Sequence, residues 1–242
     1  MWPLLVGVII TLSIMRLFAA QIYDVMIVKM TERWYSAVIK VLEPSSRVLD
    51  MGIGTASALA RNADAVRSKK LRFVGVDYEQ TYIDRAQDVV RRAELGANVA
   101  LHCSSVYDPV AQRAWRDELN DGEMFDAVYF SGSLSVMPDP PAALRAVVSL
   151  LRPGGRVFVT QTFQKRFVPG LAQLKPLLKY LTTVDFGQLV YEHDLAHIIK
   201  AANMRVVHNG LIEGSIDTPL QTARMLILEP AGADADATQA RS

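Results

Sequence analysis

The stretch Val48-Leu49-Asp50-Met51-Gly52-Ile53-Gly54-Thr55 decides the fold of this chain. An apolar run ends in a carboxylate, and two glycines follow at alternate positions. This pattern predicts a buried strand that breaks into a tight turn and opens a helix. The glycines permit backbone conformations closed to other residues, and the start of the helix presents free N–H groups to a ligand. The stretch therefore predicts a site for a nucleoside-containing cofactor.

Details of the turn favour one cofactor. A dinucleotide fingerprint places Gly or Ala at a third position, where this chain has Ser57. Asp50 lies two residues before Gly52, where it would repel a diphosphate and attract a cation. The next predicted strand, 71–76, ends at Asp77, the position at which an acidic residue holds ribose hydroxyls. S-adenosylmethionine has an ammonium, a sulfonium and no phosphate, so we predict it as the cofactor; a turn and helix without a ligand is the alternative.

Composition limits the class of protein. The chain has 242 residues, of which 50% are hydrophobic, which is enough for one large domain with an appendage. The formal net charge of +1 argues against nucleic-acid binding. The single cysteine, Cys103, fits a reducing compartment. Because Cys103 ends the apolar run 99–103, we interpret it as a core residue.

The first twenty residues form a separate segment. Residues 1–15 carry no charged side chain, and Arg16 interrupts an apolar run that continues to residue 20. A helix over residues 2–20 would be about 28 Å long, close to the roughly 30 Å of a bilayer core. The segment predicts a membrane anchor at residues 1–20, and the basic residues that follow place the rest of the chain in the cytosol. The alternatives are a removed targeting peptide and a helix buried in a cytoplasmic protein.

The rest of the chain alternates between strand and helix patterns. Residues 21–44 read as a linking helix, residues 45–230 as the main domain, and residues 231–242 as a disordered tail. The alternation predicts a parallel sheet with helices on both faces. Two later strands with a short link predict an antiparallel pair. The predicted strands are Arg47–Met51, Leu71–Asp77, Val99–Ser104, Phe125–Phe130, Arg156–Gln161 (after a turn at Arg152–Gly155), Met204–Leu211 and Thr222–Leu228.

Four segments in this order resemble the class I S-adenosylmethionine-dependent methyltransferases. They are Val48–Thr55, Val74–Tyr78, Phe125–Phe130 and Leu151–Val157. The resemblance covers roughly residues 48–229. It implies an α/β fold: a Rossmann-like seven-stranded sheet, mostly parallel with an antiparallel last strand, helices on both faces, and here an added N-terminal hydrophobic helix.

The resemblance also implies roles for residues around the glycine turn. Gly52 and Gly54 would pass under the methionine part of the cofactor, with Asp50 near its ammonium. Asp77 would accept hydrogen bonds from the ribose hydroxyls. Tyr78 would pack beside the adenine.

Four further residues at the site follow from the same resemblance. Ser105 and Val106 come after the third strand, where the family contacts the adenine ring. The family has an Asp near this position, whereas the nearest carboxylate here is Asp108. Ser131 and Ser133 follow the fourth strand, where sulfonium and acceptor meet. Serines at strand ends are also ordinary turn residues.

The catalytic residues are less defined. Methyl transfer from a sulfonium is an in-line displacement, and a general base is needed only if the acceptor must lose a proton. His193 is a candidate base, and Tyr23 a candidate cover over the cofactor. His193 and His197 have the spacing of a zinc pair, but without further ligands we interpret them as helix surface and predict no metal.

The pattern as a whole predicts a methyltransferase that acts on a small-molecule or lipid-like acceptor at a membrane surface. The stretch Ser131–Pro138 lacks the Asn/Asp-Pro-Pro-aromatic motif of enzymes that methylate amide or adenine nitrogens, which disfavours those acceptors. One alternative is a scaffold protein that binds S-adenosylmethionine without catalysis. Another is a nucleotide-dependent oxidoreductase, which Asp50 and the missing third glycine disfavour. The sequence leaves the oligomeric state open.

Overall fold

The computed structural model describes residues 27–117, 122–166 and 190–231. The predicted anchor at residues 1–20, Tyr23, the segment 167–189 and residues 232–242 of the predicted tail lie outside these ranges. Within them, no helix is both long enough and apolar enough to cross a membrane.

The described residues build one seven-stranded sheet, as predicted. Its strand order is β3-β2-β1-β4-β5-β7-β6. The first five strands pair in parallel, and β7 runs antiparallel to both β5 and β6. The strands are β1 Arg47–Met51, β2 Arg72–Asp77, β3 Val99–Cys103, β4 Phe125–Ser131, β5 Leu151–Gln164, β6 Met204–Leu211 and β7 Gln221–Pro230.

Helices cover both faces of the sheet. Helices α1 to α4 pack into one apolar cluster and α5 to α7 into the other. Neighbouring residues of β1 alternate between them, with Val48 in the first cluster and Leu49 in the second, as the pleat of a strand requires. The helices are α1 27–41, α2 Ser57–Ala60, α3 Ala63–Ser68, α4 Gln80–Arg92, α5 Pro109–Asp117, α6 Pro140–Val148 and α7 Glu192–Ala201.

The sheet topology places the site. The chain leaves β1 toward β2 and β3 on one side, and then crosses to β4 on the other side. In sheets of this kind ligands bind beyond the carboxyl ends of the strands, at the point where the strand order reverses. Here that point lies between β1 and β4. Asp50 pairs in register with Gly75 of β2 and Tyr129 of β4, directly at this edge.

Strand β5 begins earlier than predicted. Phe125 pairs with Leu151, whereas Ala127 pairs with Arg156, so residues 152–155 bulge out between two paired positions. Gly154 has φ +76° within this bulge. The predicted turn at Arg152–Gly155 is therefore an interruption inside the strand and not its beginning.

The interpretation of Cys103 as a core residue was wrong. Its side chain is exposed at the end of β3. β3 is the outermost strand on its side of the sheet, so its last residues extend beyond the helices that cover the centre. An apolar run in sequence does not reveal this edge position.

Helix α1 is fastened to the domain at its C-terminal end. The Lys69 ammonium donates hydrogen bonds to the carbonyl oxygens of Ile39, Lys40 and Leu42, at 2.9, 3.0 and 2.7 Å. The last carbonyls of a helix have no partner within the helix, and a cation at this end also favours the helix dipole. Lys69 thus holds α1 in place over the sheet.

Candidate active site

The glycine turn after β1 has the predicted geometry. Gly52 and Gly54 have φ +79° and +58°, in the left-handed region that glycine tolerates best. A Cβ on Gly52 would lie 2.5 Å from the Cβ of Ser133. Ser133 follows β4, and its hydroxyl donates a hydrogen bond to the Met51 carbonyl oxygen. The turn is therefore packed tightly against the end of β4, and Gly52 is required for this approach.

Asp50 is a fully buried carboxylate at this edge. Its Oδ2 accepts a 2.6 Å hydrogen bond from the Tyr35 hydroxyl, and its Oδ1 accepts none from the described chain. Burial raises the pKa of Asp50 to about 7; the Tyr35 hydrogen bond acts in the lowering direction, and the Asp77 charge raises it further. A buried carboxylate with one free oxygen and no cation against it among the described residues is a fitting partner for a ligand ammonium.

Asp77 braces the same turn from β2. One of its oxygens accepts a hydrogen bond from the Gly54 N–H at 3.0 Å, and the other from the Glu79 N–H at 3.0 Å. Each carboxylate oxygen has a second lone pair, so Asp77 keeps capacity for ribose hydroxyls. The structure thus brings Asp50, Gly52, Gly54 and Asp77 together at one edge of the sheet, as the sequence predicted.

The remaining predicted cofactor contacts lie at neighbouring strand ends. Tyr78 directly follows β2 and is 76% exposed, which leaves its ring available to a ligand. Val106 is buried after β3, and the Ser105 hydroxyl accepts a hydrogen bond from the Tyr107 N–H at 3.3 Å. Ser131 ends β4. The roles of these four residues in binding remain predictions.

Two residues of α1 that were not predicted from the sequence also lie at this edge. The Tyr35 hydroxyl reaches Asp50, and the Trp34 indole N–H donates to the Ser215 hydroxyl at 3.1 Å. The Trp34 ring also packs against Gly132 after β4, where an added Cβ would lie 3.3 Å from it. Adjacent apolar residues at 34–35 and 38–39 do indicate a broad buried face of a helix, but they do not show which sheet residue a hydroxyl will meet.

Of the two predicted catalytic candidates, the structure describes only His193, and it does not join this cluster. His193 lies on α7, which packs against the opposite face of the sheet, and its side chain is 72% exposed. Tyr23 is outside the described residues. In residues 27–117, 122–166 and 190–231, no three His, Cys, Asp or Glu side chains gather as a metal site would require.

An open groove of about 680 Å³ lies beside the cluster, between α1, α2 and α4. The carboxylates of Asp50 and Asp77 do not line it. We therefore place the candidate site at the strand ends, where the buried carboxylate and the glycine turn meet, and not in this groove.

Comparisons with known proteins agree with the fold. A sequence profile of the family described as "Methyltransferase domain" matches residues 26–209. The ubiquinone biosynthesis O-methyltransferase of Xanthomonas axonopodis pv. citri is 34% identical over 125 residues, which cover 49% of this chain and 44% of that protein. The chain therefore matches only about half the length of this relative.

Two solved structures have the same fold. The [4+2]-cyclase SpnF superposes with a TM-score of 0.62 at 18% identity, over 82% of this chain and 81% of that one. The O-methyltransferase NcsB1 from neocarzinostatin biosynthesis, in complex with S-adenosyl-L-homocysteine and 1,4-dihydroxy-2-naphthoic acid, superposes with a TM-score of 0.56 at 16% identity, over 81% and 53%.

The sheet topology is that of the class I methyltransferase fold, and the chain belongs to the family described as "Methyltransferase domain". The cofactor predicted from the sequence, S-adenosylmethionine, is in keeping with this family. Asp50 Oδ1, which has no partner in the described chain, and the open space at Gly54 fit the ammonium and methionine chain of S-adenosylmethionine.

Proposed function

We propose that this chain transfers a methyl group from S-adenosylmethionine to a hydroxyl oxygen of a small aromatic acceptor related to quinone precursors. One observation carries the proposal: Asp50 keeps a buried oxygen without a partner in the described chain, at the turn where the family binds its cofactor. The name of the Xanthomonas relative supports oxygen as the acceptor atom and a quinone precursor as the acceptor class.

Methyl transfer requires that the acceptor be aligned with the methyl group and that water be excluded from the site. The cofactor supplies a methyl group on a good leaving group, so the acceptor oxygen attacks the methyl carbon while the carbon–sulfur bond breaks. S-adenosylhomocysteine leaves, and the hydroxyl proton goes to a base or to solvent. Trp34, packed on Gly132 and tied to Ser215, covers the end of β4 and supports the exclusion of water there.

Phenolic hydroxyls suit a site with no identified general base. A phenol has a pKa near 10, far below that of an aliphatic alcohol, so less help is needed to remove its proton. Among the described candidates, His193 is exposed on the far face of the sheet. This supports an acceptor that ionises with little assistance.

Membrane association is a finer part of the proposal. We infer that residues 1–20 anchor the domain and present it to a membrane-partitioned acceptor, on the basis of their uncharged sequence and length. Cell fractionation tests this: the full chain is expected in the membrane pellet after a high-salt wash, and a variant lacking residues 1–20 in the supernatant. Equal distribution of both proteins would remove the anchor.

Turnover with labelled cofactor tests the activity. The full chain is incubated with methyl-labelled S-adenosylmethionine and an ortho-dihydroxylated aromatic acid, with an amine of similar size as the control acceptor. We expect label in the organic extract with the phenol only, and none with an Asp50→Asn variant. Label on the amine, or on protein and nucleic acid alone, would contradict the acceptor class.

The second candidate is a scaffold that binds S-adenosylmethionine without transferring the methyl group. It is supported by the absence of an identified base among the described residues. Binding measured by calorimetry, with no turnover on phenols, amines or a fractionated cell extract, would favour the scaffold and reject the enzyme.

A further inference from the structure

Helix α1 contributes one polar atom to the cofactor site. The Tyr35 side chain is only 3% exposed, and its hydroxyl donates to Asp50 Oδ2 at 2.6 Å. Its ring meets that of Tyr129 edge-on, with centroids 4.9 Å apart and planes at 86°. These contacts fix the ring, so the hydroxyl has little freedom to leave the carboxylate.

We propose that Tyr35 is the positioning residue of the cofactor site: its hydroxyl holds one oxygen of Asp50 and leaves the other for the ammonium of S-adenosylmethionine. The proposal rests on the function proposed above, because it assigns Asp50 to that ammonium. It adds a residue on a helix that precedes the glycine turn and shares none of its sequence motif.

A neutral donor suits this task. An Arg or Lys against Asp50 would neutralise the charge that attracts the ligand, whereas a hydroxyl orients the carboxylate and preserves its charge. Burial and the neighbouring Asp50 raise the pKa of Tyr35 well above its ordinary value, so its proton stays in place as the donor. The hydrogen bond also favours the ionised form of Asp50.

The charged and titratable groups around Asp50 support the same role for Tyr35. Tyr35 faces it from α1, Asp77 acts on it from β2, and Tyr129 lies nearby on β4. Of these, only Tyr35 lowers the pKa of Asp50. Loss of the Tyr35 hydroxyl should therefore raise the pH at which Asp50 ionises and weaken binding of a cationic ligand near neutral pH.

Calorimetry with two ligands tests this assignment. The dissociation constants of S-adenosylmethionine and 5′-methylthioadenosine, which lacks the ammonium, are measured from about pH 5.5 to about pH 9 for the natural chain, Tyr35→Phe and Tyr129→Phe. Tyr129→Phe is the matched control, because it removes another buried hydroxyl, 2.9 Å from Thr160 Oγ1. We expect Tyr35→Phe to bind S-adenosylmethionine about tenfold more weakly at pH 7, with the pH midpoint raised by about one unit.

The outcomes separate the two proposals. Binding of 5′-methylthioadenosine should not change in Tyr35→Phe, and the pH midpoint should not move in Tyr129→Phe. An unchanged pH profile in Tyr35→Phe, or equal weakening of both ligands, would overturn the positioning role. Failure of the natural chain to bind S-adenosylmethionine would instead overturn the proposed function.

A second replacement covers the case in which Tyr35→Phe does not fold. Incorporation of 3,5-difluorotyrosine at position 35 keeps the ring and hydroxyl and makes that hydroxyl a stronger donor. The pH midpoint for S-adenosylmethionine should then fall below that of the natural chain. A midpoint that stays or rises would contradict the proposal.

Discussion

The buried carboxylate of Asp50 lowers the stability of the folded chain near neutral pH. Its pKa of about 7 in the folded protein lies above the ordinary 3.8, so between these values the folded state keeps a proton that the unfolded state has lost. Folding stability from this group therefore falls as pH rises from about 4 to 7, by about 1.4 kcal/mol per pH unit at most, and is level above 7. A bound ammonium would stabilise the ionised carboxylate and so offset this loss of stability.

We expect Asp50→Asn to be more stable than the natural chain at pH 8 and to bind S-adenosylmethionine at least tenfold more weakly. Asparagine keeps the shape of the side chain and removes the buried charge. Urea unfolding of both proteins at pH 5 and pH 8, without ligand, measures the first effect. The expected advantage of the variant is larger at pH 8 than at pH 5; an equal difference at both values would contradict the buried charge.

The two glycines of the turn should differ in their tolerance of alanine. At Gly54, φ is +58° and nothing lies within 4 Å of an added Cβ, so Gly54→Ala should cost only backbone strain, about 1 kcal/mol. At Gly52, the added Cβ would meet Ser133 at 2.5 Å, so Gly52→Ala should cost several kcal/mol. Chemical denaturation of both variants measures the difference in their free energies of unfolding. Equal losses of stability in the two variants would show that Ser133 moves away from the added Cβ without a cost in free energy.

At the scale of elements, α1 connects the cofactor edge with the antiparallel end of the sheet. Tyr35 contacts Asp50 at the end of β1, and Trp34 contacts Ser215 in the link between β6 and β7. A shift of α1 would change both contacts together. The hydrogen bonds from Lys69 to the C-terminal end of α1 are therefore important for the site as well as for stability.

Lys69→Met should destabilise the domain by about 2 kcal/mol, because three carbonyl oxygens of α1 and the following turn lose a charged donor. Lys70→Met is the control, since no side-chain hydrogen bond or ion pair of Lys70 is seen in the described residues and its side chain is exposed. Urea midpoints of the two variants provide the measurement. A loss in Lys70→Met as large as in Lys69→Met would rule out the specific role of the cap.

At the scale of the whole molecule, ligand binding should be visible as thermal stability. S-adenosylmethionine at one hundred times its dissociation constant should add about 2.7 kcal/mol, a rise in melting temperature of roughly 5–10 °C for a chain of this size. The same concentration of NAD should leave the melting temperature unchanged. A rise with NAD alone would restore the oxidoreductase alternative.

Much of this architecture could be predicted from the sequence. Strands buried on both faces give continuous apolar runs, and the carboxyl ends of parallel strands meet at one edge, which is why Asp50 and Asp77 could be placed together. Such apolar runs do not show which residues of a helix will face which residues of the sheet. The contact of Tyr35 with Asp50 could therefore not be predicted. The exposure of Cys103 and the bulge at residues 152–155 depend on the neighbours of each strand in the folded sheet. The sequence of the strand itself does not reveal those neighbours.

The place of β7 has a consequence for synthesis. β7 follows β5 and β6 in the chain but lies between them in the sheet, and β6 has no neighbour in the described sheet other than β7. Until residues 221–230 emerge, β5 presents an open backbone edge and β6 cannot join the sheet at all, which are the conditions under which nascent chains associate with one another. A ribosome that stalls shortly before this strand would therefore leave the preceding strands with the edge of β5 open to other chains.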